Sequence, residues 1–190
     1  MQERWILASS SPRRIELLQQ AGIPVEVVPS GADELHELTW DIRDLCLENA
    51  RRKACDVASR HPGAWVIAAD TLVGLDGLPL GKPADSVEAR AMLCSLSGRT
   101  NHVCTGVCVV KPDGGETRFY EITEVQFREL SDTVIDDYMG RVHTLDKAGG
   151  YAVQECSEMI IAELRGDRDN VIGLPMSRLL LELTKLGADF

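Results

Sequence analysis

Trp65-Val66-Ile67-Ala68-Ala69-Asp70-Thr71-Leu72-Val73-Gly74-Leu75 is apolar at nearly every position and runs straight into Asp76-Gly77. A continuous apolar run of this kind predicts a central strand buried on both faces. Asp-Gly is a strong two-residue hairpin signal, so the chain should turn back at 76–77. The run carries one charge, Asp70. A carboxylate in a buried strand costs several kcal/mol unless it is paired, hydrogen-bonded or bound to a metal.

Outward from this strand the chain alternates between strand and helix patterns. Upstream, Asp41 to Arg60 reads as a helix with the apolar stripe Ile42, Leu45, Cys46, Ala50, Ala54 and Val57, and Lys53 falls near the middle of that stripe. Trp5–Ala8 and Val25–Val28 read as short strands. Pro12–Ala21 reads as a helix, with Ser11 as N-cap, Pro12 in the first turn and Gly22 past the end. Downstream, Asp85 to Leu96 is a helix opened by Asp85 with Glu88 three residues on. Val103–Val110 and Thr117–Phe127 flank Asp113-Gly114-Gly115 and predict an antiparallel hairpin. Ser131–Met139 and Pro175–Leu186 read as helices and Glu158–Leu164 as a strand. A hairpin beside crossover helices implies a mixed sheet, and the class is α/β.

Composition narrows the function. The 190 residues are 44% hydrophobic and 26% charged, an ordinary globular balance that excludes collagen-like, coiled-coil and disordered readings. No apolar run reaches a membrane span, and the short stretch Trp5–Ala8 runs on into arginines rather than a cleavage site, so neither a membrane segment nor a signal peptide is expected. Net charge is −10, which opposes nucleic-acid binding unless a local basic patch overrides it. The six cysteines form no Cys-x-x-Cys pair and read as reduced residues of a cytoplasmic protein.

Four places could carry chemistry. In Ala8-Ser9-Ser10-Ser11-Pro12-Arg13-Arg14 a strand ends, three hydroxyls line a turn and a helix begins. Free N–H groups at a helix start suit phosphate. Arg13 and Arg14 oppose the helix dipole there, a conflict that a bound polyanion relieves; the plainer reading is two solvated arginines. Asp70 suits a general base or a Mg²⁺ ligand, against a structural ion pair. Lys53 either snorkels to water or reaches a phosphate in a cleft, as Lys82 could from Gly81-Lys82-Pro83. Gly149-Gly150, within 146–154, can take positive φ or approach a ligand closely. Walker A, Gly-x-Gly-x-x-Gly, His-x-x-x-His and Gly-x-Ser-x-Gly patterns are absent. That argues against P-loop, dinucleotide, zincin and serine-hydrolase chemistry.

Five motifs, in order, carry a resemblance: Ala-Ser-Ser-Ser-Pro-Arg-Arg; Ala-Asp-Thr-Leu-Val with Gly-Lys-Pro; Leu-Ser-Gly-Arg-Thr at 96–100; Asp-Lys-Ala-Gly-Gly-Tyr; and Asn-Val-Ile-Gly-Leu-Pro at 170–175. From Trp5 to about Leu183 the chain resembles the Maf family of nucleotide pyrophosphatases. The resemblance implies a single domain over 1–190 with an inosine triphosphatase-like fold: an elongated mixed sheet with flanking helices, in two lobes around a central cleft. It implies hydrolysis of a nucleoside triphosphate to monophosphate and pyrophosphate with a divalent cation, Mg²⁺ or Mn²⁺. Asp70 matches the family's catalytic base. Ser9, Arg13, Arg14, Lys53 and Lys82 are the expected triphosphate holders, and Glu34 joins Asp70 at the metal. Arg13, Thr71 and Gln154 resemble the specificity set of the dTTP/UTP branch rather than the 7-methyl-GTP branch. The loop departs from the family's usual form at Gly150, Ala152 and Glu155. The partner implied is the nucleotide, with no stable nucleic-acid or membrane contact and with a homodimer admitted. A nucleotide-binding regulator of cell division without turnover is the other class of function.

Overall fold

The computed structural model describes residues 3–36 and 39–190. Its elements are β1 (Trp5–Leu7), α1 (Pro12–Gln20), β2 (Glu26–Val27), α2 (Ile42–Arg60), β3 (Trp65–Leu75), β4 (Leu78–Leu80), α3 (Ser86–Leu96), β5 (Thr100–Val110), β6 (Glu116–Phe127), α4 (Asp132–Arg141), α5 (Ser157–Ile160), β7 (Ile161–Arg165), α6 (Arg168–Ile172) and α7 (Met176–Lys185). Among the described residues these form a seven-stranded sheet in the order β2-β1-β3-β5-β6-β7, with β4 paired to β3. β1 is parallel to β2 and β3, and the other pairings are antiparallel. The expected mixed sheet is therefore present.

β3 positions the site. One edge pairs with β5 from Val66 to Gly74. The other edge pairs with β1 up to Ile67 and with β4 only from Val73 onward. Between those partners the edge around Asp70 and Thr71 stands open. Odd-numbered side chains of β3 face one layer. Trp65, Ile67 and Ala69 pack with Leu18, Leu174 and Leu179, while Val73 and Leu75 pack with Leu93, Val103 and Tyr138. Thr71 falls between these two apolar clusters. Even-numbered Val66 and Ala68 pack beneath α2 against Ala50 and Ala54.

α2 lies very close to the sheet because Gly106, the β5 partner of Asp70, lacks a side chain. A Cβ at Gly106 would sit 2.5–2.6 Å from backbone atoms of Cys46 and Leu47. Asp41 opens α2 by accepting from Arg43 N–H at 2.9 Å. Asp85 caps α3 as expected, but Glu88 reaches back to Ala84 N–H at 2.7 Å rather than to the cap residue itself.

One expectation needs correction, and another holds in position only. Glu158–Leu164 is not one strand: Ser157–Ile160 forms a helical turn and β7 begins at Ile161. β7 pairs with the end of β6 across a register shift at Gln126/Phe127, and the chain joins the sheet only at Ile161. Ser11 occupies the N-cap position of α1, but its side chain makes no capping bond. Ser9 Oγ accepts from Ser11 N–H at 3.2 Å instead.

Candidate active site

The open edge of β3 floors a cleft of about 380 Å³, in the range of small-molecule sites. On the even-numbered face, Asp70 is 6% exposed. Its Oδ1 accepts from Lys53 Nζ at 2.7 Å and its Oδ2 from Asn49 Nδ2 at 3.0 Å. Asn49 and Lys53 sit one helical turn apart on α2, so both reach the same carboxylate. Lys53 Nζ also lies 2.6 Å from Glu34 Oε1. Asn49 secures the segment that carries Glu34, because its Oδ1 accepts from Leu35 N–H at 2.8 Å and its Nδ2 donates to Leu35 C=O at 3.1 Å. Lys53 is thus clamped between two carboxylates rather than snorkelling to water.

At the start of α1 the two arginines separate. Arg13 reaches Asp146, 3.6 Å away, and stays partly exposed. Arg14 turns inward. It donates from Nε to Gly173 C=O at 2.8 Å, from Nη1 to Ser9 Oγ at 3.2 Å and from Nη2 to Thr71 Oγ1 at 3.0 Å. Burial lowers the Arg14 pKa and the neighbouring Arg13 charge adds to this, while Asp70 and Glu34 act the other way. All three acceptors on Arg14 are neutral. Among the described residues neither Arg14 nor Lys82 has a carboxylate within 4.0 Å.

The loop at 146–154 closes the far side. Gly149 and Gly150 take φ of 68° and 74°, the positive values that glycine adopts without strain. Gly149 N–H donates to Gly81 C=O at 3.0 Å, tying the loop to the segment that carries Lys82. Lys147 is 6% exposed and is held by Asp146 at 2.7 Å and Glu155 at 3.3 Å. Burial pushes the Asp146 carboxyl up. The hydrogen bond and charge of Lys147, with Arg13, outweigh this and leave its pKa below the ordinary range.

The cleft therefore gathers nearly all the residues expected from the sequence. Arg13, Arg14, Glu34, Lys53, Asp70, Thr71, Lys82 and Gln154 line it. Ser9 does not; it stands behind Arg14, and Ser11 lines the cleft in its place. Glu155 also stays out, committed to Lys147, while Gln154 faces in. Sequence reasoning missed Asn49, and read Asp146 and Lys147 only as part of the 146–154 loop, without a role for either side chain. Asn49 had a readable signal, a polar residue on the apolar stripe one turn before Lys53. Five cationic side chains (Arg13, Arg14, Lys53, Lys82, Lys147) meet three carboxylates (Glu34, Asp70, Asp146), so the cleft is locally positive in a chain of net charge −10. Such a reversal favours an anionic ligand.

The donor set also bears on a divalent cation. Among the described residues no group of three or more His, Cys, Asp or Glu gathers into a complete cage. Glu34 and Asp70 supply two carboxylates, which suits Mg²⁺, a cation commonly held by one or two carboxylates with the rest of its shell from substrate phosphates and water. Among the described residues no helix is long and apolar enough to cross a membrane.

The family model described as "Maf-like protein" matches residues 4–186. A dTTP/UTP pyrophosphatase of Akkermansia muciniphila is 52% identical over 182 residues, 96% of each chain. Another of Deinococcus radiodurans is 46% identical, covering 97% of this chain and 93% of its own. Among solved structures, the Ham1 protein of Staphylococcus aureus superposes with a TM-score of 0.56 at 16% identity, covering 95% of this chain and 98% of its own. A HAM1 protein from Coxiella burnetii gives 0.55 at 17% identity, covering 97% and 100%. These two show the shared fold. On its sequence match from end to end of the sheet and cleft, the chain belongs to the Maf family.

Proposed function

We propose that this protein is a nucleoside triphosphate pyrophosphatase that cleaves dTTP and UTP to the nucleoside monophosphate and pyrophosphate in the cytoplasm. One observation carries the reading: a nearly buried carboxylate, Asp70, is held by Lys53 and Asn49 at the floor of a locally positive cleft inside an acidic protein. The dTTP/UTP pyrophosphatases at 52% and 46% identity support the substrate class.

In this reading the triphosphate lies along Arg13, Lys82 and the start of α1, where cationic groups and free N–H donors neutralise its oxygens. Asp70 accepts the proton of a water that attacks the α-phosphorus. The bond from that phosphorus to the bridging oxygen breaks, and pyrophosphate leaves with the bonding pair. Lys53 and Asn49 hold the Asp70 oxygens still, so the base does not have to be oriented at the moment of reaction. Glu34 and Asp70 would hold the divalent cation, which when bound neutralises non-bridging phosphate oxygens. Arg13, Thr71 and Gln154 are the residues proposed to select the base. Gln154 can donate and accept together, as the edge of uracil or thymine requires.

The test is a panel of dTTP, UTP, CTP and 7-methyl-GTP with Mg²⁺ or Mn²⁺, with chromatographic detection of products. Monophosphate and pyrophosphate in equal amounts, fastest from dTTP and UTP, is the expected result. Preference for 7-methyl-GTP would overturn the substrate assignment. Tight binding without turnover would point to a regulator.

A further inference from the structure

Thr71 and Thr105 face each other across β3 and β5, with hydroxyl oxygens 2.9 Å apart. Each hydroxyl has one proton to give, so the neighbours decide which way each bond points. Arg14 can only donate, and its Nη2 gives a proton to Thr71 Oγ1. At the other end, Thr105 Oγ1 lies 2.9 Å from Asn170 C=O, which can only accept. Thr105 and Asn170 are both 0% exposed. The next two backbone N–H groups, of Gly173 and Leu174, both go to Asp169 C=O, so Thr105 is what satisfies the buried Asn170 carbonyl. The chain of bonds then has one direction: Arg14 to Thr71, Thr71 to Thr105, Thr105 to Asn170 C=O. Thr71 spends its proton inside the protein and offers the cleft only a lone pair.

Strand alternation says which part of a nucleotide meets that lone pair. Asp70 and Lys53 lie on the α2 face of β3, and Thr71 lies on the opposite face with Val73 and Val103. Val103, Val171 and Ile172 line the same cleft and make this side its apolar wall. A flat ring fits against this wall, with the phosphates running on from it toward Arg13, Lys82 and the start of α1. Phosphate oxygens are acceptors throughout, and a fixed acceptor at Thr71 repels them.

We infer that Thr105, without touching substrate, fixes the Thr71 hydroxyl as an acceptor and thereby selects nucleobases with an imide N3–H, uracil and thymine, over cytosine, whose N3 is itself an acceptor. This rests on the pyrophosphatase reading above. Thr105 is a positioning residue, and the quantity it controls is the ratio between substrates rather than the overall rate.

The experiment compares kcat/KM for UTP, CTP and 3-methyl-UTP. The last keeps both uracil carbonyls and carries a methyl group in place of the N3 hydrogen. In the wild-type enzyme UTP should exceed both others by about tenfold or more, the scale set by an unpaired buried polar group. Thr105→Val removes the acceptor of the Thr71 proton and frees Thr71 to donate. The UTP-to-CTP ratio should then fall by about tenfold, with kcat/KM for CTP rising. Thr105→Ser, which keeps the hydroxyl, should retain the wild-type ratio. If Thr105→Val does not fold, Thr105→Ala, which also removes the hydroxyl, carries the same comparison of UTP with CTP. Equal turnover of UTP and 3-methyl-UTP overturns the inference, as does a Thr105→Val enzyme that slows on UTP and CTP alike. A wild-type enzyme that hydrolyses neither UTP nor dTTP overturns the functional reading, and this inference with it.

Discussion

Lys53 occupies a stripe position where a lysine ordinarily lays its methylenes on apolar neighbours and sends its ammonium to water. Here the ammonium ends between Asp70 and Glu34, at 2.7 and 2.6 Å. That the two charges belong together was not legible, because nothing in sequence spacing relates a helix position to a strand 17 residues on. What was legible was that each was costly where it stood: a lone carboxylate in a buried run, and a lysine on an apolar face. Asn49 gave the fainter signal, a polar side chain on the same stripe without a charge to make its burial costly. Removing these groups should separate their roles. Asp70→Asn should lower kcat by about 10²–10⁴-fold with an unchanged circular dichroism spectrum. A variant keeping more than about a tenth of the wild-type rate would remove Asp70 from the role of base. Lys53→Ala should raise KM and lower kcat, and should also destabilise the fold by about 3–5 kcal/mol, since it leaves a buried carboxylate without its cation. Denaturant titration reads the second effect and initial rates read the first.

At the scale of elements, the distance between α2 and the sheet sets the site. Lys53 and Asn49 reach Asp70 because Gly106 leaves room for the helix backbone. Gly106 sits in a strand of alternating apolar residues, where sequence reads a glycine only as a weak spot. Its purpose depends on a helix that arrives from 60 residues earlier in the chain. Gly106→Ala should force α2 outward, cost about 1–3 kcal/mol by overpacking, and lose activity beyond what that stability change explains. Retained activity with normal stability would show that α2 tolerates the shift. The long helices, β3 and the β5–β6 hairpin were readable because each has a long regular pattern. The 157–165 segment was not, because four residues of helical turn and five of strand are too short to show a period. The five-residue helix α6, which brings Asn170 to Thr105, was missed for the same reason.

Across the whole molecule, acidic charge outside the cleft and basic charge within it are both consequences of where side chains end up. The sequence could supply only the total. The Asp146 carboxyl has a pKa depressed in the folded state, so its contact with Lys147 stabilises the protein above the unfolded carboxyl pKa and loses that contribution as pH falls through the folded value. Asp146→Asn should therefore lower Tm slightly at neutral pH, by an amount worth under about 1 kcal/mol for so exposed a carboxylate. The difference should vanish in acid; a gap that widened there would reverse the sign of the linkage. The cysteines give a second reading of the whole fold. All six are free, with Cys46, Cys104 and Cys108 buried and Cys94 exposed. Burial pushes the Cys108 thiol up to about 12, and a hydrogen bond to Cys104, joined by burial, raises that of Cys46. A thiolate-selective reagent should label Cys94 rapidly in the native protein and reach Cys46 and Cys108 only on unfolding.

The central claim is that water, activated at Asp70, attacks the α-phosphorus. Turnover of dTTP in water carrying heavy oxygen, with both products weighed by mass spectrometry, tests it most directly. The heavy atom should be found in the nucleoside monophosphate and not in the pyrophosphate. Label in the pyrophosphate, or release of orthophosphate with a nucleoside diphosphate, would contradict it.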